Sequence, residues 1–183
     1  MLHMNMKYLI FVLADIVFGY VPQAAGCAIC LYTVVNQKLC TGRFWLTTGI
    51  FSAIAIMIRT AYNIKLIDFG FHTILIWGIF ILVAIGYNRF PAMQSICSIL
   101  LSGILITIAE LVTSGVLIII FGNAAFTRMM NNTQSLDGRI VKAVCGVPAN
   151  ILFVVFVLII YFVKNSLKKK KMLAESAEPS QNP

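Results

Sequence analysis

Charged residues are scarce in this sequence. They make up 11% of its 183 residues, hydrophobic residues make up 60%, and only six residues are acidic. A water-soluble domain of this length needs far more polar surface to cover its core. The composition therefore excludes a soluble globular protein, and the long apolar runs are typical of membrane-spanning helices.

The patterns of common catalytic and metal sites are also missing. The sequence has two histidines and five cysteines, and it contains no Walker A loop, HExxH or GxSxG motif. Cys27 and Cys30 form a CxxC pair, but no histidine or second CxxC accompanies them. Small packing residues inside a helix are the favoured interpretation of this pair. We therefore expect no enzymatic activity, no metal and no cofactor.

The net charge of +8 does not indicate a nucleic-acid partner. The basic residues lie at the ends of apolar runs and in a lysine cluster after the last run, and no basic face is interleaved with aromatic residues. Cations in these positions contact lipid head groups. The partner that the charge predicts is thus the lipid bilayer.

The apolar runs predict an all-α polytopic transmembrane helix bundle with short loops and about five spans, six being the alternative. The predicted spans are 8–35, 44–64, 69–87, 92–121 and 143–163. They form a transmembrane domain, 1–163, which is followed by a basic tail, 164–183, that we expect to be disordered.

Two prolines and one polar stretch refine these boundaries. Pro22 cannot donate a hydrogen bond to the carbonyl of Phe18, so we expect a kink in the first span. Pro148 suits the first turn of the last span. The stretch 122–139 is rich in loop-forming residues, although its first half has the composition of a short interfacial helix.

The lysine cluster predicts the orientation of the chain in a cell membrane. Four consecutive lysines follow the last span: Lys168, Lys169, Lys170 and Lys171. Positive charge next to a span favours the cytoplasmic side, so we expect a cytoplasmic C-terminus. With five spans, the N-terminus and the 122–139 stretch then lie outside.

Two acidic residues interrupt the apolar runs, Asp15 in the first and Glu110 in the fourth. An unpartnered charge in a membrane is costly, so such residues usually face a bundle interior or a cavity. One interpretation is a proton-linked or ligand-linked site where the two approach each other. The other is that each carboxyl bonds to a neighbouring helix and serves packing alone.

Three basic residues lie near the predicted outer ends of the spans. His72 and Arg128 are candidates for contact with a ligand at the outer mouth. Arg59 most simply extends to the lipid head groups.

Three short motifs resemble the membrane region of bacterial sensor histidine kinases of the accessory gene regulator type. They are Phe69–Leu75 (FGFHTIL), Ile108–Leu111 (IAEL) and Gly146–Asn150 (GVPAN). The resemblance implies that the outer loops and span mouths meet a peptide signal, with His72 matched to a motif. After Lys171 the sequence has no phosphoacceptor histidine or nucleotide-binding motif. We therefore expect a sensor-like module without kinase activity.

The favoured function is thus a non-enzymatic membrane sensor or accessory module in signal perception. Its expected partners are a separate kinase or a homologous membrane protein, bound through helix packing, or a second copy in a homodimer. The alternative is a small transporter, or the substrate-binding membrane subunit of one, that uses the intramembrane carboxylates. An assembly partner of a larger membrane complex is a third hypothesis.

Overall fold

The structure is a computed structural model that describes Met6 and residues 12–63, 71–131 and 136–177. These residues form helices and connections, with no strand among them. The helices are α1 (Val12–Val34), α2 (Gly42–Asn63), α3 (Phe71–Gly86), α4 (Ala92–Phe121), α5 (Asn123–Asn131) and α6 (Leu136–Ala177). The predicted all-α membrane bundle is confirmed.

Four helices, α1, α2, α4 and α6, are long and apolar enough to cross a membrane. α3 has 16 residues, about 24 Å of helix against a hydrocarbon core of roughly 30 Å. It runs antiparallel to α2, because His72 at its start stacks on Tyr62 and Phe80 further along stacks on Phe51. The third predicted span, 69–87, is therefore represented by a shorter helix of the same bundle.

The two ends of the bundle differ in charge. At one end α1 and α3 finish and α2 and α4 begin, and Lys164 of α6 contacts the last turn of α1 there. We name this end the lysine side. Asp15, Arg59 and the C-terminus of α4 lie toward the opposite side.

α1 packs against α2, α4 and α6, and α4 packs against α1, α3, α5 and α6. Small residues permit this close packing. A Cβ atom added at Gly26 would overlap the Phe153 ring of α6, and one at Gly103 of α4 would overlap the Trp77 ring of α3. These two glycines therefore set the distances between neighbouring helices.

The break predicted in α1 takes the form of a π-helical turn, Ile16–Tyr20, directly before the regular segment Val21–Val34. Pro22 occupies the first turn of that segment. Because Pro22 has no N–H, the carbonyl of Phe18 loses its usual helical donor. The local irregularity is thus a widened turn next to the proline, a feature frequent at functional sites.

α6 is longer than predicted at both ends. It begins at Leu136 rather than at 143, so Pro148 lies inside the helix and not in its first turn. It continues to Ala177, so residues 164–177, which we expected to be disordered, are helical. Lysine, leucine and alanine are good helix formers, and no proline or glycine interrupts this part of the sequence. Residues 178–183 lie outside the described part of the chain.

The short helix anticipated in the polar stretch 122–139 is confirmed as α5, which packs on α4 and α6. Gly122, with φ of 80°, ends α4 and redirects the chain into α5. Residues 132–135 are outside the described ranges.

Candidate functional site

Arg59 of α2 is directed into the bundle rather than toward lipid head groups. Its Nη2 donates a hydrogen bond of 2.6 Å to Oε1 of Gln23 on α1. Its guanidinium carbon lies 4.7 Å from the centroid of the Tyr20 ring, within cation–π range. Its buried Nε has no hydrogen-bond partner among the residues that the structure describes. Arg59 thus links α2 to the irregular part of α1 and keeps one donor unused.

Gln23 extends the contact from α2 through α1 to α6. Its Nε2 donates to Oδ1 of Asn150 at 2.8 Å, and Nδ2 of Asn150 donates to the carbonyl oxygen of Phe18 at 2.9 Å. The Phe18 carbonyl is the one to which Pro22, which has no N–H, cannot donate a hydrogen bond. Asn150, which is almost fully buried, therefore supplies from α6 the donor that the proline removed from α1.

Asp15 joins the same network through Tyr20. The Tyr20 hydroxyl donates to Oδ2 of Asp15 at 2.5 Å, while its ring faces Arg59. Asp15 is half-buried and directly precedes the π-helical turn. We name the set Asp15, Tyr20, Arg59, Gln23 and Asn150 the polar chain.

Glu110 lies apart from Asp15. Its side chain is exposed on α4, beside the exposed apolar residues Ile108 and Leu111. Arg59 is near enough to interact with it electrostatically, but no hydrogen bond or ion pair to Glu110 occurs within the described ranges. Among the described residues, the two acids therefore do not line a common site by direct contact.

The candidate outer-mouth residues also lie on different parts of the bundle. The His72 ring stacks on Tyr62 of α2 at 4.5 Å and contacts the Thr73 hydroxyl at 3.2 Å. Arg128 is exposed on α5, which packs against α4 and α6. Because the two residues belong to different helix pairs, each would meet a ligand separately.

Lys168, Lys169, Lys170 and Lys171 are exposed on the last part of α6. Lys164, one turn earlier, has a structural role that was not predicted from the sequence. Its Nζ donates to the carbonyl oxygens of Thr33 and Val34, at 2.6 and 3.1 Å. These carbonyls belong to the last turn of α1, where a cation satisfies orphan acceptors and the helix dipole.

Tyr20 and Gln23 were not predicted as site residues from the sequence, and Asn150 entered only as part of a motif. The sequence does contain a signal for them, because each is an amide or a phenol inside an apolar run: Tyr20 and Gln23 in the first run and Asn150 in the last. In a membrane such groups generally hydrogen-bond to a neighbouring helix.

The CxxC pair is buried in the core, and both cysteines are free. Cys30 Sγ lies 3.6 Å from the carbonyl oxygen of Ser98 on α4, in agreement with a packing role. Over the ranges described, no group of three or more His, Cys, Asp or Glu residues is placed to hold a metal ion.

The fold and the polar chain define the class of protein: a helical integral membrane protein with a hydrogen-bonded polar centre. Comparison with protein-family models, with curated proteins and with solved structures finds no match in any of the three. The resemblance to accessory gene regulator-type sensors therefore stays a prediction.

Proposed function

We propose that this chain is a non-enzymatic integral membrane protein of signal perception, acting as a sensor-like or accessory module. The observation that carries the proposal is the pair of hydrogen bonds between Asn150 of α6 and α1. Asn150 accepts one from Gln23 and donates the other to the Phe18 carbonyl. They couple the irregular turn of α1 to the helix that leads into the lysine cluster.

α6 is suited to carry a displacement along its length. It is one continuous helix from Leu136 to Ala177, and Lys164 lies fourteen residues after Asn150, about 21 Å further along. A change in the π-helical turn of α1 would move Asn150 and, with it, the lysine segment. Small helix shifts of this kind are a common way to transmit a binding event.

The binding end of this module is the side opposite the lysines. There Arg59 offers an unused Nε donor and a positive charge, and His72 and Arg128 are placed toward the same end of the bundle. An anionic group of a peptide signal would compete with Gln23 and Tyr20 for Arg59 and so disturb the polar chain.

We place the lysine side in the cytoplasm of a cell-membrane protein, following the positive charge that flanks the last span. The signalling partner would be a separate kinase, a homologous membrane protein or a second copy. The exposed carboxyl of Glu110 on the apolar surface of α4 favours such a partner, because a lipid-facing acid is costly unless another helix covers it.

The test compares transcriptional responses of cells to their own conditioned medium. Cells with the native chain should respond, and the response should disappear when the medium is first treated with protease. The double variant Gln23→Leu/Asn150→Leu should abolish it. A matched control, Val21→Leu/Ile151→Leu, changes exposed neighbours on the same two helices and should respond normally. A normal response from the first double variant would refute coupling through the polar chain.

A transporter that uses Asp15 and Glu110 is the second candidate, favoured by Tyr20, which contacts both Asp15 and Arg59, and by the position of Glu110 within a long apolar helix. Purified protein in liposomes would distinguish it. Solute uptake that Glu110→Gln abolishes would replace the sensor proposal with the transporter.

A further inference from the structure

A pocket of about 490 Å³ opens at the lysine side, at the far end of the bundle from the polar chain. One wall is formed by the connection between α1 and α2, with Gln37, and by the first turn of α2, with Arg43. The other is the connection between α3 and α4, with Arg89. Tyr32 and Asn88 also line it. None of the residues that line the pocket is acidic.

Asn88 provides a buried polar group in the pocket wall. It is 4% exposed, and its Oδ1 lies 3.1 Å from the Tyr32 hydroxyl and 3.0 Å from the Thr47 hydroxyl. Its Nδ2 has no hydrogen-bond partner in the described part of the chain. If the oxygen and nitrogen atoms of the side-chain amide exchange places, Oδ1 is the atom left without a partner. In either orientation, one polar atom of a buried side chain is left for another group to bind.

The wall that holds Asn88 is well defined. The Tyr32 ring packs edge-on against Phe44 and Phe90, with centroid distances of 5.3 and 5.2 Å. Asn88 and Tyr32 therefore belong to a fixed aromatic and hydroxyl cluster that joins α1, α2 and the α3–α4 connection. The two arginines are exposed at the pocket surface, so they are free to close on a ligand.

The electrostatic surroundings favour an anion. Next to the pocket, and sharing Gln37 with it, lies a smaller cavity of about 130 Å³ lined by Lys38, Lys164 and Lys168. Guanidinium groups match the oxygens of phosphate in paired hydrogen bonds, and an amide N–H adds a further donor.

We propose that the pocket bounded by Tyr32, Arg43, Asn88 and Arg89 binds the phosphate group of an anionic ligand. Arg43 and Arg89 bind the phosphate oxygens, and the Asn88 amide bonds to the ligand's polar group next to the phosphate. The phosphate comes from an anionic phospholipid head group or from a soluble phosphate ester. The site is separate from the sensing role and does not depend on it.

The experiment measures binding to the full chain in detergent by native mass spectrometry, with phosphatidylglycerol, phosphatidylcholine and glycerol 3-phosphate as probes. Arg43→Gln/Arg89→Gln should weaken binding of the preferred probe by about tenfold or more, as expected for the loss of two charge-assisted contacts. The control Lys169→Gln/Lys170→Gln removes the same charge from exposed positions outside both cavities and should keep the native affinity within about twofold. Circular dichroism establishes that each variant is folded.

The probes distinguish the two sources. Tighter binding of phosphatidylglycerol than of phosphatidylcholine, undisturbed by glycerol 3-phosphate, identifies a lipid head group. Arginine-dependent binding of glycerol 3-phosphate without a preference between the lipids identifies a soluble ester. An equal loss in the arginine and lysine variants, or no arginine-dependent binding of any probe, overturns the proposal.

Discussion

α1 and α4 are alike in sequence, since each is a long apolar run with one acidic residue. They differ in helix regularity, in burial and in the surroundings of the acid. Both helices contact several others, but α1 contains a π-helical turn and a larger share of it is buried than of α4. α4 is a regular helix of 30 residues, one side of which carries exposed apolar side chains. Asp15 of α1 has the Tyr20 hydroxyl as a partner, whereas Glu110 of α4 is exposed.

The difference shows that hydropathy alone does not determine how deeply a helix is buried in the bundle. Small residues have a more direct effect, because they allow helix backbones to approach. In α1 they are consecutive, from Ala24 to Ala28, and suit contacts on several sides. In α4 the buried small residues follow helical spacing: Ser95, Ser98, Ser102, Gly103 and Ala109.

The sharpest test of this comparison is Gly26→Ala in α1 against Gly115→Ala in α4. The new methyl at position 26 would overlap the buried Phe153 ring, and nothing lies within 4 Å of one at position 115. We expect Gly26→Ala to lower the free energy of unfolding by about 1–3 kcal/mol, and Gly115→Ala to leave it unchanged or raise it by up to about 1 kcal/mol. Unfolding in mixed micelles measures both. Equal effects would contradict the assigned packing.

Arg59→Met tests the link between α2 and α1. It keeps an unbranched apolar stem but removes the guanidinium group and leaves Gln23 Oε1 without its donor, so we expect a loss of about 1–3 kcal/mol. Arg128→Met changes an exposed arginine on α5 and should stay within about 0.5 kcal/mol of the native chain. The same unfolding measurement applies, and a loss no larger than that of the Arg128 variant would place Arg59 among the lipid head groups after all.

A double-mutant cycle tests the link between α1 and α6. Asn150→Ala removes the donor to the Phe18 carbonyl and should cost about 0.5–1.5 kcal/mol. Pro22→Ala restores an N–H that can bond to this carbonyl within α1. In the Pro22→Ala background the cost of Asn150→Ala should therefore fall, giving a coupling energy of about 0.5 kcal/mol or more. Strict additivity would show that the two groups do not share the carbonyl.

The smallest expected effects come from the two acids. Asp15→Asn weakens the hydrogen bond from Tyr20 and should cost about 0.5–1 kcal/mol. Glu110→Gln alters an exposed side chain, and we expect a change below about 0.5 kcal/mol in the unfolding of the single chain. A larger loss for Glu110→Gln would mean that Glu110 is covered, and analytical ultracentrifugation would then show whether a second copy covers it.

The sequence was sufficient for the class of fold and for most helix boundaries, because apolar runs of this length are characteristic of membrane-spanning helices. The limits of α4 were predicted at Ala92 and Phe121, where Pro91 and Gly122 mark them. Those of α6 differ from the prediction, because Pro148 has the properties of a helix start and the lysine cluster those of a disordered tail. A proline is tolerated inside a membrane helix, and lysines continue a helix readily.

Of the five residues of the polar chain, only Asp15 was predicted as a site residue from the sequence. Asp15 and Glu110 stand out in an apolar sequence, but their environments depend on which helix faces become neighbours, and spacing along one helix does not reveal that. Arg59 was assigned to the head groups because it lies near a helix end. Its partners Gln23 and Tyr20 belong to another helix, 36 and 39 residues earlier in the sequence.

The hydrogen bond from Asn150 to the Phe18 carbonyl has a consequence for how the protein is made. The two residues are 132 positions apart, so at 5–20 residues per second the ribosome needs roughly 7–26 s to synthesise the chain between them. During that interval the first membrane helix carries a carbonyl whose usual helical donor is missing. The hydrogen bond from Asn150 forms only after the last helix enters the membrane. We therefore expect nascent chains that stop before Asn150 to be better substrates for membrane proteases, because their first span lacks this bond.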